Sequence, residues 1–525
     1  MTRARSAFAS TPAGRDILVF GALLAYLLLA ILFPILRADR YCNDDLLRAL
    51  SGSYGWSDNG RHLTNLLMRM LQLGASRLVD ISPLAQLLAI AVLAWTGVLV
   101  ARRFDIHSPA VAVMATAALG AQPFMLENLS YRFDALFMAL AIMCSALPVT
   151  IDRHGWKGWA VGTSSLLAAL NLYQPAIDVF LVFSVLEVSR DVPEAGGISR
   201  RFQTFVVRIS QFAVASVAYR LLFAASLKDW VKDHAALASV ADLPCTLAEN
   251  ARMFTRFVVD AFDQRCGALF VASVAAAIAV PMLIGARRGI AYRHDRPMWQ
   301  TLVFVAALGA LPFAALVGIV GPMLLLEKPV LMPRVMIGFG AFLCAALIAM
   351  NDALRTRPAM LRAQYVIGGT WLLMFAVMAS NYGNASKAQD LYEIQIAHDI
   401  GNDLAELRAH HVVSNLVLTG SAGLAPVAER AERQFPLLQQ LILPYLGENE
   451  FLSRNFLKLH VPGLSKWAGA APSATDEKQP AGDACSMPAL YVRDAYSLKL
   501  VGEIAVVAFA GELAEHCPAS PPHAS

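Results

Sequence analysis

The sequence predicts an all-α protein that crosses a membrane many times, with a small α/β domain after the last membrane helix. Three observations predict this fold class. Of the 525 residues, 57% are hydrophobic and only 16% are charged, whereas soluble domains carry about 25% charged residues. The hydrophobic residues form runs close to the roughly 20 residues that a spanning helix needs. After residue 380, short apolar runs alternate with charged stretches.

Eleven apolar runs are predicted to span the membrane, and each should be helical because lipid offers the backbone no hydrogen-bond partner. The runs are 17–36, 83–101, 108–126, 134–150, 158–172, 175–188, 203–225, 267–285, 299–320, 335–350 and 364–380. The fifth and sixth runs are short and are separated by Tyr173-Gln174-Pro175. A single broken helix or a re-entrant pair is the alternative there.

Arginine and lysine set the predicted orientation. Arg3, Arg5 and Arg15 precede the first run, Arg102-Arg103 follows the second, and every second loop after that is basic. Basic loops face the cytoplasm under the positive-inside rule. The N-terminus is therefore expected inside, and an odd number of spans places the C-terminus outside. The net charge of +4 reflects these loops and indicates no nucleic-acid partner.

Two domains follow from this topology: a transmembrane domain over residues 1–380 and an outer domain over 381–525. The outer loops of the first domain are 37–82, 127–133, 226–266 and 321–334. In the outer domain, a strand within 412–418, then Gly420 and a helix, predicts a mixed α/β fold, with a loop over 468–484. The sequence contains no nucleotide-binding fingerprint, so ATP-driven transport is unsupported.

The cysteines leave two questions open. Cys245 and Cys266 share one outer loop, and Cys485 and Cys517 share the tail. Each pair forms a disulfide only if the compartment oxidises thiols and the geometry closes. No Cys or His cluster has the spacing of zinc ligands.

The first outer loop carries adjacent carboxylates. Asn43 is a suitable N-cap for a short helix 44–51 that Gly52 closes, which places Asp44 and Asp45 in the first turn. The functional interpretation is that these carboxylates supply a general base, a divalent-metal ligand at Asp45, or both. Ordinary acids at a helix N-terminus are the alternative.

Further side chains of this loop are candidates for binding substrate. They are Arg48, Trp56 and Arg61. The segment after them has apolar residues on one helical face and polar residues on the other, as expected of a helix that lies in the membrane interface. Such a surface would suit a substrate with a long acyl or prenyl tail.

The second outer loop is short and rich in polar groups. It contains Glu127, Asn128, Tyr131, Arg132 and Asp134. Ionisable groups at membrane depth are costly and are taken as functional by default. A loop cap held by salt bridges is the alternative.

Arg334 precedes another apolar run. A guanidinium group can bind phosphate through two parallel hydrogen bonds. Arg334 is therefore a candidate phosphate clamp, and an interfacial arginine that extends its charge into water is the alternative.

These motifs resemble one known family. The chain is similar to the type II family of O-antigen-modifying glucosyl transferases, which are GT-C-type membrane glycosyltransferases. The resemblance is close over residues 35–150 and looser in the later spans, and the tail beyond residue 400 matches no motif. It rests on Tyr41-Cys-Asn-Asp44-Asp45, Gly55-Trp56, Gly60-Arg61, Asp80-Ile-Ser-Pro83-Leu84 and Leu126-Glu127-Asn128-Leu-Ser-Tyr131-Arg132-Phe-Asp134.

The resemblance implies a reaction on the outer side of a bacterial inner membrane. A sugar, usually glucose, passes from a polyprenyl-phosphate carrier to a hydroxyl of a surface polysaccharide or a lipid-linked glycan. The expected partners are this donor, this acceptor and membrane lipids. Asp44 or Asp45 would accept the hydroxyl proton, and Arg334, with Arg48 or Arg61, would stabilise the departing phosphate. A divalent cation, Mg²⁺ or Mn²⁺, between Asp45 and the phosphate is an option.

Two other functions compete with this one. A transporter or flippase for a lipid-linked substrate predicts charged residues along the spans and an internal repeat. The spans hold few charged residues, and the two halves show no repeat. A non-catalytic assembly protein with the same fold is the third possibility.

Overall fold

A computed structural model describes residues 12–151, 155–190, 197–263, 265–291, 309–355, 357, 361–447, 449–461, 464 and 487–509. Within these residues the chain is mainly helical, with one small sheet towards the C-terminal end. It divides into two compact units. Unit 1 comprises Met1–Leu36, Tyr54–Asn381 and Gln434–Leu441; unit 2 comprises Arg37–Ser53, Tyr382–Arg433 and Ile442–Ser525.

The helices are numbered here in chain order. They are α1 (Pro12–Ala38), α2 (Asp44–Ser51), α3 (His62–Leu71), α4 (Leu84–Arg103), α5 (Pro109–Thr116), α6 (Ala118–Ala121), α7 (Met125–Ser130), α8 (Ala135–Thr150), α9 (Gly155–Leu172), α10 (Ile177–Arg190), α11 (Gly197–Phe223), α12 (Asp229–His234), α13 (Leu243–Ala261), α14 (Arg265–Ala291), α15 (Gly309–Gly318), α16 (Ile337–Leu354), α17 (Leu361–His410), α18 (Pro426–Gln434), α19 (Leu438–Leu441) and α20 (Glu450–His460). A π-helical turn over Leu27–Leu32 interrupts α1.

The described residues contain six helices that are long and apolar enough to cross a membrane, which indicates a membrane protein. These six are α1, α4, Phe202–Phe223 of α11, Gly267–Arg287 of α14, α16 and α17. The predicted count of eleven spans is not confirmed. The runs 134–150 and 175–188 form shorter helices, and the run 158–172 lies in the 18-residue α9, which is not among the six. The predicted run 299–320 lies partly outside the described residues.

The predicted run 108–126 is broken into three short helices, α5, α6 and α7. The break at the end of α6 has a local cause. Gln122 leaves the helical conformation with ψ 147° because the residue before a proline is sterically disfavoured in the α region. The chain turns there and enters the polar segment that contains Glu127 and Asn128.

Burial separates central from peripheral helices in unit 1. The apolar window of α16 is 89% buried and that of α4 is 61% buried, whereas the window in α11 is only 11% buried. The helix α16 packs against α10 and α14, and α8 packs against α4, α9 and α10. The helices α16, α4 and α8 therefore form the interior of this unit, and α11 presents its apolar residues outwards.

Gly338 allows the close approach of α16 to its neighbours. A Cβ atom there would lie 2.3 Å from the Ile319 carbonyl oxygen and 2.8 Å from the Asp178 Cβ. We expect Gly338→Ala to destabilise the protein by about 1–3 kcal/mol, because the backbone cannot move aside cheaply. Thermal unfolding in detergent measures this change. Gly369→Ala is the matched control, since a Cβ there meets nothing within 4 Å, and an equal loss in both variants would contradict the packing argument.

Unit 2 combines a four-stranded sheet with helices. The strands are β1 (Asn415–Thr419), β2 (Tyr491–Val492), β3 (Tyr496–Val501) and β4 (Ile504–Phe509), in the order β1-β4-β3-β2. Strand β1 runs parallel to β4, and the other pairs are antiparallel. One face of this sheet contributes to a buried apolar core with the C-terminal part of α17, α20 and Leu46 of α2.

The predicted strand, glycine and helix of the tail are confirmed. Strand β1 ends at Thr419, Gly420 adopts a left-handed conformation with φ 74°, and α18 follows. The predicted loop 468–484 lies outside the described residues. Among the described cysteines, Cys245 is an exposed free thiol. Cys485, Cys517 and the Cys266 side chain are outside the described part.

Candidate active site

The carboxylate of Asp134 is a buried anion in unit 1. Its side chain is 5% exposed and lies 2.6 Å from the Arg61 guanidinium. The indole of Trp56, which is fully buried, donates a hydrogen bond of 2.8 Å to the same carboxylate. Arg61 also donates to the carbonyl of Leu172 at 2.6 Å. Charge pairing and hydrogen bonding thus compensate the burial of Asp134 and fix the Trp56–Arg61 stretch.

We expect Asp134→Asn to destabilise the protein by about 3–5 kcal/mol, because it leaves the Arg61 charge buried without its anion. The change is measured as the midpoint of thermal unfolding in detergent. Asp58→Asn is the control, since Asp58 pairs with Lys228 at 2.7 Å while both side chains are largely exposed. Such a surface pair is worth at most about 1 kcal/mol. Equal stability of the two variants would show that the Asp134–Arg61 pair does not support the fold.

Glu127 holds Arg334 from two sides. The backbone N–H of Arg334 donates to Glu127 at 2.8 Å, and the Arg334 guanidinium lies 3.7 Å from the same carboxylate. The guanidinium also donates a hydrogen bond to the Tyr131 hydroxyl. The Arg334 side chain is 22% exposed, whereas that of Glu127 is 5% exposed. The cation is therefore the part of this cluster that an external anion can reach.

The carbonyl group of Arg334 is held as well. It accepts hydrogen bonds from the Asn128 side chain at 3.1 Å and from the Tyr173 hydroxyl at 3.2 Å. The Arg61 guanidinium lies 5.2 Å from the centre of the Tyr173 ring. Tyr173 thus links the surroundings of Asp134 to those of Arg334. Sequence reasoning did not select Tyr173, although the polar break Tyr173-Gln174-Pro175 between two apolar runs was the available signal.

Arg132 forms its ion pair with a residue outside the second outer loop. Its guanidinium lies 2.9 Å from the carboxylate of Asp80. Asp80 belongs to the motif Asp80-Ile-Ser-Pro83 but was not among the predicted site residues. The backbone N–H of Ser82 donates to the same Asp80 side chain at 2.8 Å. Arg132 therefore fixes the entry to α4.

The adjacent carboxylates Asp44 and Asp45 lie in unit 2 at the start of α2. Asp45 is fully buried and Asp44 is exposed. Gly52 closes the helix with φ 64°, as predicted, but the prediction that Asn43 caps it is wrong. Asn43 makes no capping hydrogen bond through its side chain and adopts φ 43° and ψ −104°.

Other contacts fix the start of α2 in place of a cap. The Tyr445 hydroxyl donates to the carbonyl of Tyr41 at 2.7 Å and accepts from the Asn43 backbone N–H at 3.3 Å. Burial raises the pKa of this hydroxyl well above its usual range, so it remains a hydrogen-bond donor. Arg48, on the same helix, is buried and donates to the Ser53 carbonyl at 3.5 Å.

The candidate residues thus fall into two groups. Trp56, Arg61, Glu127, Asn128, Tyr131, Arg132, Asp134 and Arg334 belong to unit 1, and Asp44, Asp45 and Arg48 belong to unit 2. The described residues contain no group of three or more His, Cys, Asp or Glu side chains that could hold a metal ion.

Comparison with known proteins identifies the family. The family described as glucosyl transferase GtrII matches residues 33–345, which is more than half of the chain. An uncharacterised 55.3 kDa protein encoded upstream of gtrB in Salmonella phage P22 is 26% identical over 427 residues, covering 80% of this chain and 85% of the phage protein. No solved structure matches significantly. The resemblance seen in the sequence is confirmed, and the chain belongs to the GtrII glucosyl transferase family.

Proposed function

We propose that this protein transfers glucose from a polyprenyl-phosphate carrier to a hydroxyl of a cell-surface polysaccharide such as O-antigen. The reaction would take place on the periplasmic face of the bacterial inner membrane, with a GT-C-type scaffold, a cytoplasmic N-terminus and a periplasmic C-terminus. Family membership supports glucosyl transfer. The basic loops of the sequence support the orientation.

The contacts of Arg334 are the main support for a phosphate-linked donor. Its backbone N–H and carbonyl are both hydrogen-bonded to side chains, and its guanidinium contacts Tyr131, while the side chain as a whole remains 22% exposed. A cation held in this way needs little reorganisation when negative charge develops on a leaving group. A phosphate ester is the leaving group that a guanidinium recognises best.

The chemistry is a direct displacement at the anomeric carbon. The acceptor oxygen forms a bond to this carbon as the bond to the carrier phosphate breaks, and Asp44 or Asp45 takes the proton of the acceptor hydroxyl. The carrier leaves as polyprenyl phosphate, and Arg334 stabilises its charge. Arg48 is a second candidate for the phosphate, whereas Arg61 supports the site through Asp134.

The helix α3 offers a surface for the lipid tail of the donor. Leu66 is 56% exposed, Met70 is 65% exposed, and Leu73 just after the helix is 96% exposed. Exposed apolar side chains on an amphipathic helix are typical of contact with lipid. A prenyl chain would bury this surface while the phosphate stays at the polar end.

The decisive experiment supplies the purified protein in proteoliposomes with radiolabelled polyprenyl-phosphate glucose and a polysaccharide acceptor. Label should move into the acceptor and depend on the protein, and radiolabelled UDP-glucose should give no transfer. Movement of intact labelled carrier between leaflets without transfer would instead support the flippase alternative. Repeating the assay with EDTA, and then with added Mg²⁺ or Mn²⁺, tests whether Asp45 binds a cation together with the phosphate.

A further inference from the structure

The start of α2 is built into unit 2 by residues far away in the sequence. The segment Arg37–Ser53 belongs to this unit, and Leu46 is part of its apolar core. The helix α2 also packs against α20. The Asp44–Asp45 turn is therefore held by the fold of the C-terminal region.

Tyr445 makes the most direct contact with this turn. Its hydroxyl bridges the carbonyl of Tyr41 and the N–H of Asn43, which directly precedes Asp44. Positive φ is rare for residues other than glycine, and the ψ of −104° at Asn43 lies outside the ordinary left-handed region. A residue in such a conformation persists only when its surroundings impose it. The Tyr445 hydroxyl is one such restraint.

Tyr445 is itself fixed by a buried ion pair. The Arg40 guanidinium lies 4.0 Å from the centre of the Tyr445 ring and 2.6 Å from Glu393, and the Arg40 and Glu393 side chains are 6% and 0% exposed. Glu393 accepts hydrogen bonds from the backbone N–H groups of Tyr445 and Leu446, the latter at 2.8 Å. The ring and the backbone of Tyr445 are thus both immobilised, so its hydroxyl has a defined position.

We propose that the Tyr445 hydroxyl is a positioning group that orients the Asp44–Asp45 turn for proton transfer from the acceptor hydroxyl. This inference rests on the proposed function. A general base must lie within hydrogen-bond reach of the proton that it removes. A turn that is free to relax at Asn43 would displace both carboxylates at once, without any change at Arg334, which belongs to unit 1.

Tyr445→Phe tests the proposal because it removes the hydroxyl and keeps the ring beneath Arg40. We expect kcat for glucose transfer to fall about tenfold or more, with KM for the lipid donor within about twofold of wild type. Tyr392→Phe is the matched control, since it removes another tyrosine hydroxyl of unit 2 that donates to a backbone carbonyl, that of Ala422 at 2.9 Å. Both variants should keep the wild-type thermal midpoint within a few degrees, and the control should keep the wild-type kcat.

A double-mutant cycle separates positioning from a general structural effect. The cycle uses the Asp44→Asn or Asp45→Asn variant with the larger loss of activity. Adding Tyr445→Phe to that variant should not lower its remaining rate further. An unchanged kcat in Tyr445→Phe, an equal loss in Tyr392→Phe, or a second full loss in the double variant would overturn the proposal. Full activity of both Asp→Asn variants would instead reject the proposed base, so the two failures are distinct.

Discussion

Replacing the proposed base, Asp44 or Asp45, by asparagine is expected to lower the rate of glucose transfer by about 10²–10⁴-fold. Asparagine keeps the size of the side chain but cannot accept the hydroxyl proton. Asp44 is exposed and can meet an incoming acceptor directly, whereas Asp45 is fully buried. The two single variants should therefore differ, and the larger loss identifies the base.

The measurement is the initial rate of transfer from labelled polyprenyl-phosphate glucose at equal amounts of membrane-inserted protein. Asp39→Asn is the control, because Asp39 is an exposed carboxylate in the same segment. The control should keep the wild-type rate. If Asp44→Asn and Asp45→Asn both transfer glucose at that rate, neither residue is the base.

Arg334→Gln is expected to lower kcat/KM for the lipid donor by about 10²–10³-fold, the range found when one preorganised donor to a developing anion is removed. Arg334→Lys should fall between this variant and wild type, since lysine keeps the charge but not the planar fork that matches a phosphate. The partners Glu127 and Tyr131 hold the arginine geometry, so lysine cannot reproduce it.

Steady-state assays at varied donor concentration separate an effect of Arg334→Gln on kcat from an effect on KM. Arg430→Gln, an exposed arginine of α18, controls for the loss of one positive charge. A wild-type kcat/KM in Arg334→Gln would exclude Arg334 as the phosphate clamp. A rise in KM with unchanged kcat would show that Arg334 binds the ground state and the transition state equally.

The helical character of the membrane part could be predicted from hydropathy, but its division into spans could not. The runs predicted as spans at 108–126 and 134–150 became helices shorter than 18 residues or broken ones. The length of an apolar run does not reveal a helix break within it. Such a break occurs before Pro123, because the proline ring disfavours the α conformation at Gln122. Apolar runs of intermediate length also suit buried core helices.

The candidate residues could be selected from the sequence, but their contacts could not. Glu127, Tyr131 and Arg334 form one cluster although Arg334 lies 207 positions after Glu127. The contact of Tyr173 with Arg334 and that of Asp80 with Arg132 also depend on packing between segments far apart in the chain. The same limit explains the error at Asn43. Its expected side-chain cap was a local rule, whereas the restraint that exists comes from a hydroxyl 402 positions later. Spacing rules contain no information about partners at such separations.

The separation of Asn43 and Tyr445 along the sequence also has a consequence for biosynthesis. The Asp44–Asp45 segment is translated about 400 residues before the tyrosine that bridges Tyr41 and Asn43. A nascent chain therefore carries both carboxylates through membrane insertion before their turn can close. Each doubling of a loop adds about 0.6 kcal/mol to the cost of closing it, and the separation also delays the closure during synthesis. The start of α2 would acquire its final geometry only after most of the chain has left the ribosome.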